Sequence, residues 1–256
     1  MLKETERYDD LLTHELKIIQ SDDVFSFSLD AVLLARFCSV PLRGSIVDLC
    51  SGNGVIPMLL TTRTRASIVG VEVQERLWDM AARSVAHNGL GDQIRMELAD
   101  LREWARSAAR QGSFDLVTVN PPYLPIPQGH QNENTHVAIA RHEVMCTLDE
   151  VVQAASRLTR PGGRVAMVHR PARLADIMET MRRHRLEPKR IRFVHPRSSA
   201  ESNMVLIEAL RDGKPEVRLL PPLIVYKDDG IYCDELLEVY YGRTSELIGG
   251  KRDGCE

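Results

Sequence analysis

With 256 residues, 43% apolar and 27% charged, the chain has the length and composition of one large globular α/β domain. No run approaches the ~18 apolar residues that span a bilayer, and the polar start Met1–Arg7 argues against a signal peptide, so a cytoplasmic protein without membrane contact is expected. The net charge of −3 conceals an asymmetry: residues 141–197 hold 13 Lys/Arg against 6 Asp/Glu, a balance of +7, and the remainder carries −10. A basic segment on an acidic protein points to a polyanionic partner for one face.

The five cysteines (Cys38, Cys50, Cys146, Cys233 and Cys255) are scattered, with no CxxC and no histidine at metal spacing. Reduced thiols and no metal site are therefore expected.

In chain order, residues 1–13 are polar and read as loosely held, and 16–20 as a brief strand. The apolar run 31–37 reads as a helix, with Ser28 as N-cap and Asp30 in its first turn. From 45 onward strands and helices alternate. Strands are expected at 45–50, 67–73, 94–100, 114–120, 164–169, 189–195 and 203–210. Helices are expected at 54–62, 74–87, 101–111, 148–159 and 172–184. This predicts an α/β fold, a doubly wound, mostly parallel seven-stranded sheet. The last two strands are too close in sequence for a crossover helix and should pair antiparallel. Residues 211–245 look irregular apart from a short helix near 234–241, and 249–256 look disordered. The organisation expected is an extension at 1–44, a catalytic domain at 45–210 and a C-terminal extension at 211–256.

Two stretches carry chemistry. Ile46-Val47-Asp48-Leu49-Cys50-Ser51-Gly52-Asn53-Gly54 sits at the first strand-to-helix turn. Gly52 and Gly54, flanking Asn53, allow a tight turn close to a ligand. The stretch lacks the third glycine of a dinucleotide fingerprint and the Lys of a P-loop. Asp48, just before the glycines, would repel a phosphate and attract an ammonium. Glu72 ends the second strand, where an acid can take both hydroxyls of a ribose. Asp100 ends the third, within reach of an adenine amino group, although it also reads as the N-cap of the helix that follows. A ligand with ammonium, ribose and adenine fits the three acids, and S-adenosylmethionine has all of them. Cys50 reads as a small apolar filler beside this pocket.

The second stretch is Val117-Thr118-Val119-Asn120-Pro121-Pro122-Tyr123. Two prolines stop the ladder and make a rigid corner at the carboxyl end of a strand, where open α/β sheets bind ligands. Asn120 and the Pro121 carbonyl supply two acceptors, Pro122 stiffens the corner and Tyr123 supplies an aromatic face. Two acceptors on the N–H bonds of a conjugated amine would free its lone pair to attack a methyl group.

These residues, Asp48-x-x-x-Gly52-x-Gly54, Glu72, Asp100 and Asn120-Pro121-Pro122-Tyr123, resemble the class I S-adenosylmethionine-dependent methyltransferases that methylate planar nitrogens. Residues 25–34 and Ala140-Arg141-His142-Glu143 resemble the bacterial adenine-N6 methyltransferases of valine tRNA in particular. The resemblance implies a Rossmann-like methyltransferase fold over 45–210 and S-adenosylmethionine as cofactor. It implies that segment 25–34, including Asp30, covers that cofactor. The activity implied is N6-methylation of an adenine beside the anticodon. Separately, a monomer is expected.

The basic segment would then hold tRNA phosphates through residues such as Arg182, Arg183, Arg185, Lys189, Arg190 and Arg192. The loop 124–146, with Gln128, Gln131, Asn132 and Asn134, offers further polar contacts. Two rivals keep the cofactor: methylation of a glutamine amide in a release factor, and methylation of a base in rRNA or DNA. The first usually needs a larger N-terminal helical domain than the ~44 residues before the first strand here. A third, an RNA-binding module with a lost activity, predicts a damaged motif, and the motif is intact.

Overall fold

In the computed structural model, residues 2–11, 14–24, 29–123, 146–227 and 230–241 are described. The proposed cap Ser28, the Ala140–Glu143 stretch, the four loop amides and the 249–256 tail lie outside them.

A hairpin of β1 (Glu6–Asp10) and β2 (Lys17–Ser21) leads into α1 (Leu29–Phe37). The alternating units then follow as β3 (Ser45–Leu49), α2 (Val55–Thr61), β4 (Ser67–Glu72), α3 (Glu75–His87), β5 (Ile94–Leu98), α4 (Leu101–Trp104) and β6 (Phe114–Val119). The second half holds α5 (Leu148–Leu158), β7 (Thr159–His169), α6 (Leu174–Arg183), β8 (Leu186–His195) and β9 (Met204–Arg211). Short strands β10 (Arg218–Leu219) and β11 (Leu223–Ile224) and helix α7 (Asp234–Tyr241) complete the described chain.

Among the described residues the sheet has nine strands in the order β10-β8-β9-β7-β6-β3-β4-β5, with β11 also on β8. The seven expected strands are β3 to β9, and β9 is antiparallel to both its neighbours. The two further strands are two-residue pieces that run parallel to β8. They were missed because two residues carry no periodicity.

Alternation along the strands builds the two layers. Ile46, Ile68, Leu116, Ala166 and Leu206 pack with α1 and α2 on one face. Val47, Val71, Val117, Val165 and Ile207 pack with α5 and α6 on the other. Strands with both faces covered have to be apolar throughout, as these are.

Three local expectations are corrected. The N-terminus is tied down: Glu6, its side chain 1% exposed, receives both terminal nitrogens of Arg83 at 2.7 Å. The helix expected at 101–111 ends at Trp104 and continues as turns, with the Arg110 guanidinium 4.4 Å over the Trp104 ring. β7 starts at Thr159, and the Pro161-Gly162-Gly163 irregularity is absorbed as a register shift opposite Phe114 and Leu116.

One buried charge anchors α1 to the sheet. Glu208, fully buried on β9, accepts from the Ser39 N–H at 2.6 Å, the Ser39 hydroxyl, Arg164 and Arg190. Glu208→Gln should cost about 1–2 kcal/mol in chemical denaturation, because a neutral amide satisfies the two guanidiniums poorly. A loss below a few tenths would mean that water serves the network equally well.

Candidate active site

Register places the candidate residues in a row. Leu49 pairs with Val71 and Val119, Glu72 with Leu98, and Val119 with Met167. Cys50, Glu72, Asn120 and Val168, each next after a residue of the Leu49–Val71–Val119–Met167 level, are therefore level across adjacent strands about 4.8 Å apart. The two sequence motifs meet at the carboxyl edge of the sheet, with Cys50 beside Asn120.

The glycine turn is held by a left-handed backbone at alternate positions: Cys50 φ 56°, Gly52 φ 56° and Gly54 φ 86°. A Cβ at Gly52 would meet nothing within 4 Å, so conformation and not crowding selects glycine there. Gly54 is selected for space as well, since a Cβ would lie 3.1 Å from the Ala81 methyl on α3. Glu72 braces the turn. One carboxylate oxygen accepts from the Gly52 N–H at 2.8 Å and the other from the Gln74 N–H at 2.9 Å. Each oxygen keeps lone pairs for further donors such as ribose hydroxyls. Burial raises the Glu72 pKa, against the pull of those backbone donors.

Asp48 is fully buried on the α1/α2 face. Its Oδ1 accepts from the Thr118 hydroxyl at 2.6 Å, and its Oδ2 has no hydrogen-bond partner among the described residues. Desolvation pushes its carboxyl up to about 7, opposed by the Thr118 and Ser51 hydroxyls and helped by the nearby Glu72 charge. A buried carboxylate with one orphaned oxygen beside a glycine turn fits a cationic donor such as an ammonium.

Two residues read from sequence as ligand groups also hold the chain together here. Asn53 is buried, and its side chain donates to the Ile19 carbonyl at 3.2 Å, fastening β2 to the turn. Asp100 caps α4 by accepting from the Arg102 N–H at 2.8 Å and pairs with the Arg102 guanidinium, which holds its carboxyl below the ordinary range. It stands two residues beyond the row.

At the corner, Asn120 is half-buried and Pro121 buried. The Tyr123 hydroxyl meets two oxygens, Asp30 Oδ2 on α1 and Asn120 Oδ1. Its ring lies 5.2 Å from the His169 ring at 59°, with the Arg170 guanidinium 5.3 Å over it. Burial and the Asp30 charge push the Tyr123 phenol well above its usual value.

His169 lies within the basic segment 141–197. It is 1% exposed, and burial lowers it to about 4. Its Nδ1 accepts the Arg170 N–H at 2.8 Å, so a neutral ring carries its proton on Nε2. Its place as last residue of the apolar strand Val165–His169 was the available signal.

The basic residues divide by edge. α6 runs into the start of β8, so Arg182, Arg183, Arg185 and Lys189 lie at the amino edge, opposite the corner. They pair respectively with Glu187, Asp149, Asp212 and the Lys214 carbonyl. Arg190 serves Glu208, and Arg192 pairs with Glu235. Nearer the corner stand Arg170 and Arg173, just past β7, and the exposed Arg197, just past β8.

No helix among the described residues is long and apolar enough to cross a membrane, and no group of three or more metal-binding side chains occurs among them.

Comparison with known proteins identifies the family. A protein of Dickeya chrysanthemi named tRNA1(Val) (adenine(37)-N6)-methyltransferase is 30% identical over 79% of this chain and 81% of its own. A protein of the same name from Porphyromonas gingivalis is 26% identical over 91% and 95%. Among solved structures, a predicted O-methyltransferase of Agrobacterium tumefaciens shares the fold with a TM-score of 0.66 at 21% identity, over 83% of this chain and 95% of that one. The sequence profile of the methyltransferase small domain family matches residues 15–186, from β2 through the start of β8, so both motifs fall inside it. The chain belongs to that family and is a methyltransferase.

Proposed function

We propose that the chain transfers a methyl group from S-adenosylmethionine to N6 of an adenine in tRNA, beside the anticodon of valine tRNA. The observation that carries this reading is the row in which the Asn120–Tyr123 corner lies one strand from the glycine turn and two from Glu72. The names of the Dickeya and Porphyromonas relatives support the substrate.

S-adenosylmethionine, when bound, supplies an electrophilic methyl group. Asp48 Oδ2 would hold its ammonium and Glu72 its ribose hydroxyls, while the Gly52–Gly54 backbone would permit close approach. Asn120 and the Pro121 carbonyl accept the two N–H bonds of the adenine amine, drawing the nitrogen out of conjugation. Because the corner is rigid, those acceptors need no rearrangement as charge develops. Tyr123 offers its ring for stacking, worth roughly 1–3 kcal/mol per base. No strong base is required, since the amine becomes acidic only after it has been methylated.

Phosphate contacts are assigned to the basic residues at the carboxyl edge. Arg173→Ala and Arg197→Ala should each lower the salt dependence of tRNA binding by about one phosphate contact, whereas Arg183→Ala should leave it unchanged. Equal effects from all three would extend the contact surface to the amino edge and contradict its confinement to the carboxyl edge. The function itself is tested by transfer of tritiated methyl to bulk unmodified tRNA, followed by digestion to nucleosides. Label in N6-methyladenosine is the expected result, and label in another nucleoside overturns the assignment.

A further inference from the structure

The corner raises a question of proton count. The Tyr123 hydroxyl is placed to donate to both Asp30 Oδ2 and Asn120 Oδ1, with the amide oxygen turned toward the phenol. A phenol has one proton to give and can also accept. An ionised carboxylate only accepts, and hydrogen bonds to it are about twice as strong as neutral ones, so the proton goes to Asp30. The Tyr123 oxygen is then an acceptor toward Asn120. An amide oxygen facing it would set lone pairs against lone pairs, whereas an amide nitrogen facing it makes a second hydrogen bond. The two orientations place the same heavy atoms and differ only in which end of the amide is nitrogen, so the hydrogen-bond network decides between them.

On that basis we propose that Asp30 and the Tyr123 hydroxyl are positioning residues. They form a relay, Asn120 Nδ2–H to Tyr123 Oη–H to Asp30 Oδ2, that turns Asn120 Oδ1 toward the amine to be methylated. The inference rests on the role of Asn120 proposed above and adds what fixes its amide.

Three further observations support it. Asp30 is only 5% exposed, and its Oδ1 accepts the Ala31 N–H at 2.8 Å, so the carboxylate is anchored at the start of α1. The phenol is held protonated across the working pH range by burial and by the Asp30 charge. The Tyr123 ring is fixed from the other side by His169 and Arg170, so its hydroxyl has a defined place. Left to itself an amide can present either end to the substrate. The wrong end would donate toward the amine, where an acceptor is needed.

The test is a double-mutant cycle read beside cofactor affinity. Asp30→Ala and Tyr123→Phe should each lower kcat about tenfold, the worth of one buried hydrogen bond. Cofactor Kd should stay within about twofold, and the double variant should be no worse than the poorer single variant. Asp30→Asn, whose side-chain oxygen still accepts from the phenol, should recover most of the rate. Additive losses, or a cofactor Kd that rises in Asp30→Ala, would overturn the relay and make Asp30 a cofactor residue.

The cycle is run on whichever substrate the wild-type enzyme labels, tRNA or release factor, so failure of the RNA reading leaves it intact. An activity-independent measurement accompanies it. The side-chain amide protons of Asn120, assigned by NMR in asparagine-labelled protein, should shift upfield in Tyr123→Phe when their acceptor is removed. No shift would overturn the relay even if every variant were inactive.

Discussion

Asn120→Ala should reduce methyl transfer by roughly 10²–10³-fold, the loss seen when one preorganised partner of a transition state is deleted. Binding of S-adenosylmethionine should stay within a few-fold of wild type. The split follows from position. Asn120 is the first residue past β6, and β6 is locked by buried Val117 and Val119 and by pairing on both sides. Alanine leaves Pro121 and Pro122 to hold the corner. It leaves undisturbed Asp48, two residues before the row on the adjacent strand, and Glu72, in the row two strands away. Single-turnover rates and calorimetry separate the two quantities. Transfer at the wild-type rate would remove Asn120 from the chemistry. Loss of cofactor affinity with an unchanged rate would move it into the cofactor pocket.

Asp48→Asn should act in two opposite directions. The carboxyl titrates at about 7 in the folded protein and near ~3.9 in an unfolded chain. Between those values the folded protein retains a proton that the unfolded chain has released. Asp48 therefore contributes most to stability below about pH 4, loses that contribution as pH rises toward 7, and changes little above it. Asparagine does not titrate. The cofactor-free variant should be more stable than wild type at pH 8 by about 1–3 kcal/mol, after the cost of its own unmet amide donor. The advantage should vanish near pH 4. Binding of S-adenosylmethionine should meanwhile weaken on the order of 100-fold, because its ammonium loses a buried counter-charge. Thermal melts across pH, with and without cofactor, read both effects. A variant less stable than wild type at pH 8 would show that Asp48 is not an ionisation burden on the empty site.

The frame and both motifs were legible in the sequence for a shared reason. Buried parallel strands must be apolar and β-branched, so 45–49, 67–72 and 114–119 stand out, and glycine or proline marks where each one stops. Strand ends then locate Cys50, Glu72 and Asn120 without any knowledge of contacts. What escaped depended on partners far along the chain. Asn53 reads as a turn residue, yet its amide reaches back 34 positions to Ile19. Glu6 looks like a polar terminus until Arg83, 77 positions away, takes its carboxylate. Asp30 looked like a helix-start residue, and only folding brings it to Tyr123, 93 positions on.

The basic segment shows a different limit. Its charge total was correctly read, but a total has no direction. Alternation of strand and helix already placed 182–189 at the amino edge, and burial removed His169 from the cationic set. Asp100 carried two readings in the sequence, and the guanidinium of Arg102 favours the cap.

The most direct test of the central claim uses a synthetic valine anticodon stem–loop with adenine beside the anticodon. It is compared with the same loop bearing guanosine at that position and with a release factor, all with tritiated S-adenosylmethionine. The account predicts label in the adenine loop alone, recovered as N6-methyladenosine. Equal labelling of both loops would contradict the assigned position, and label in the release factor alone would contradict the RNA substrate.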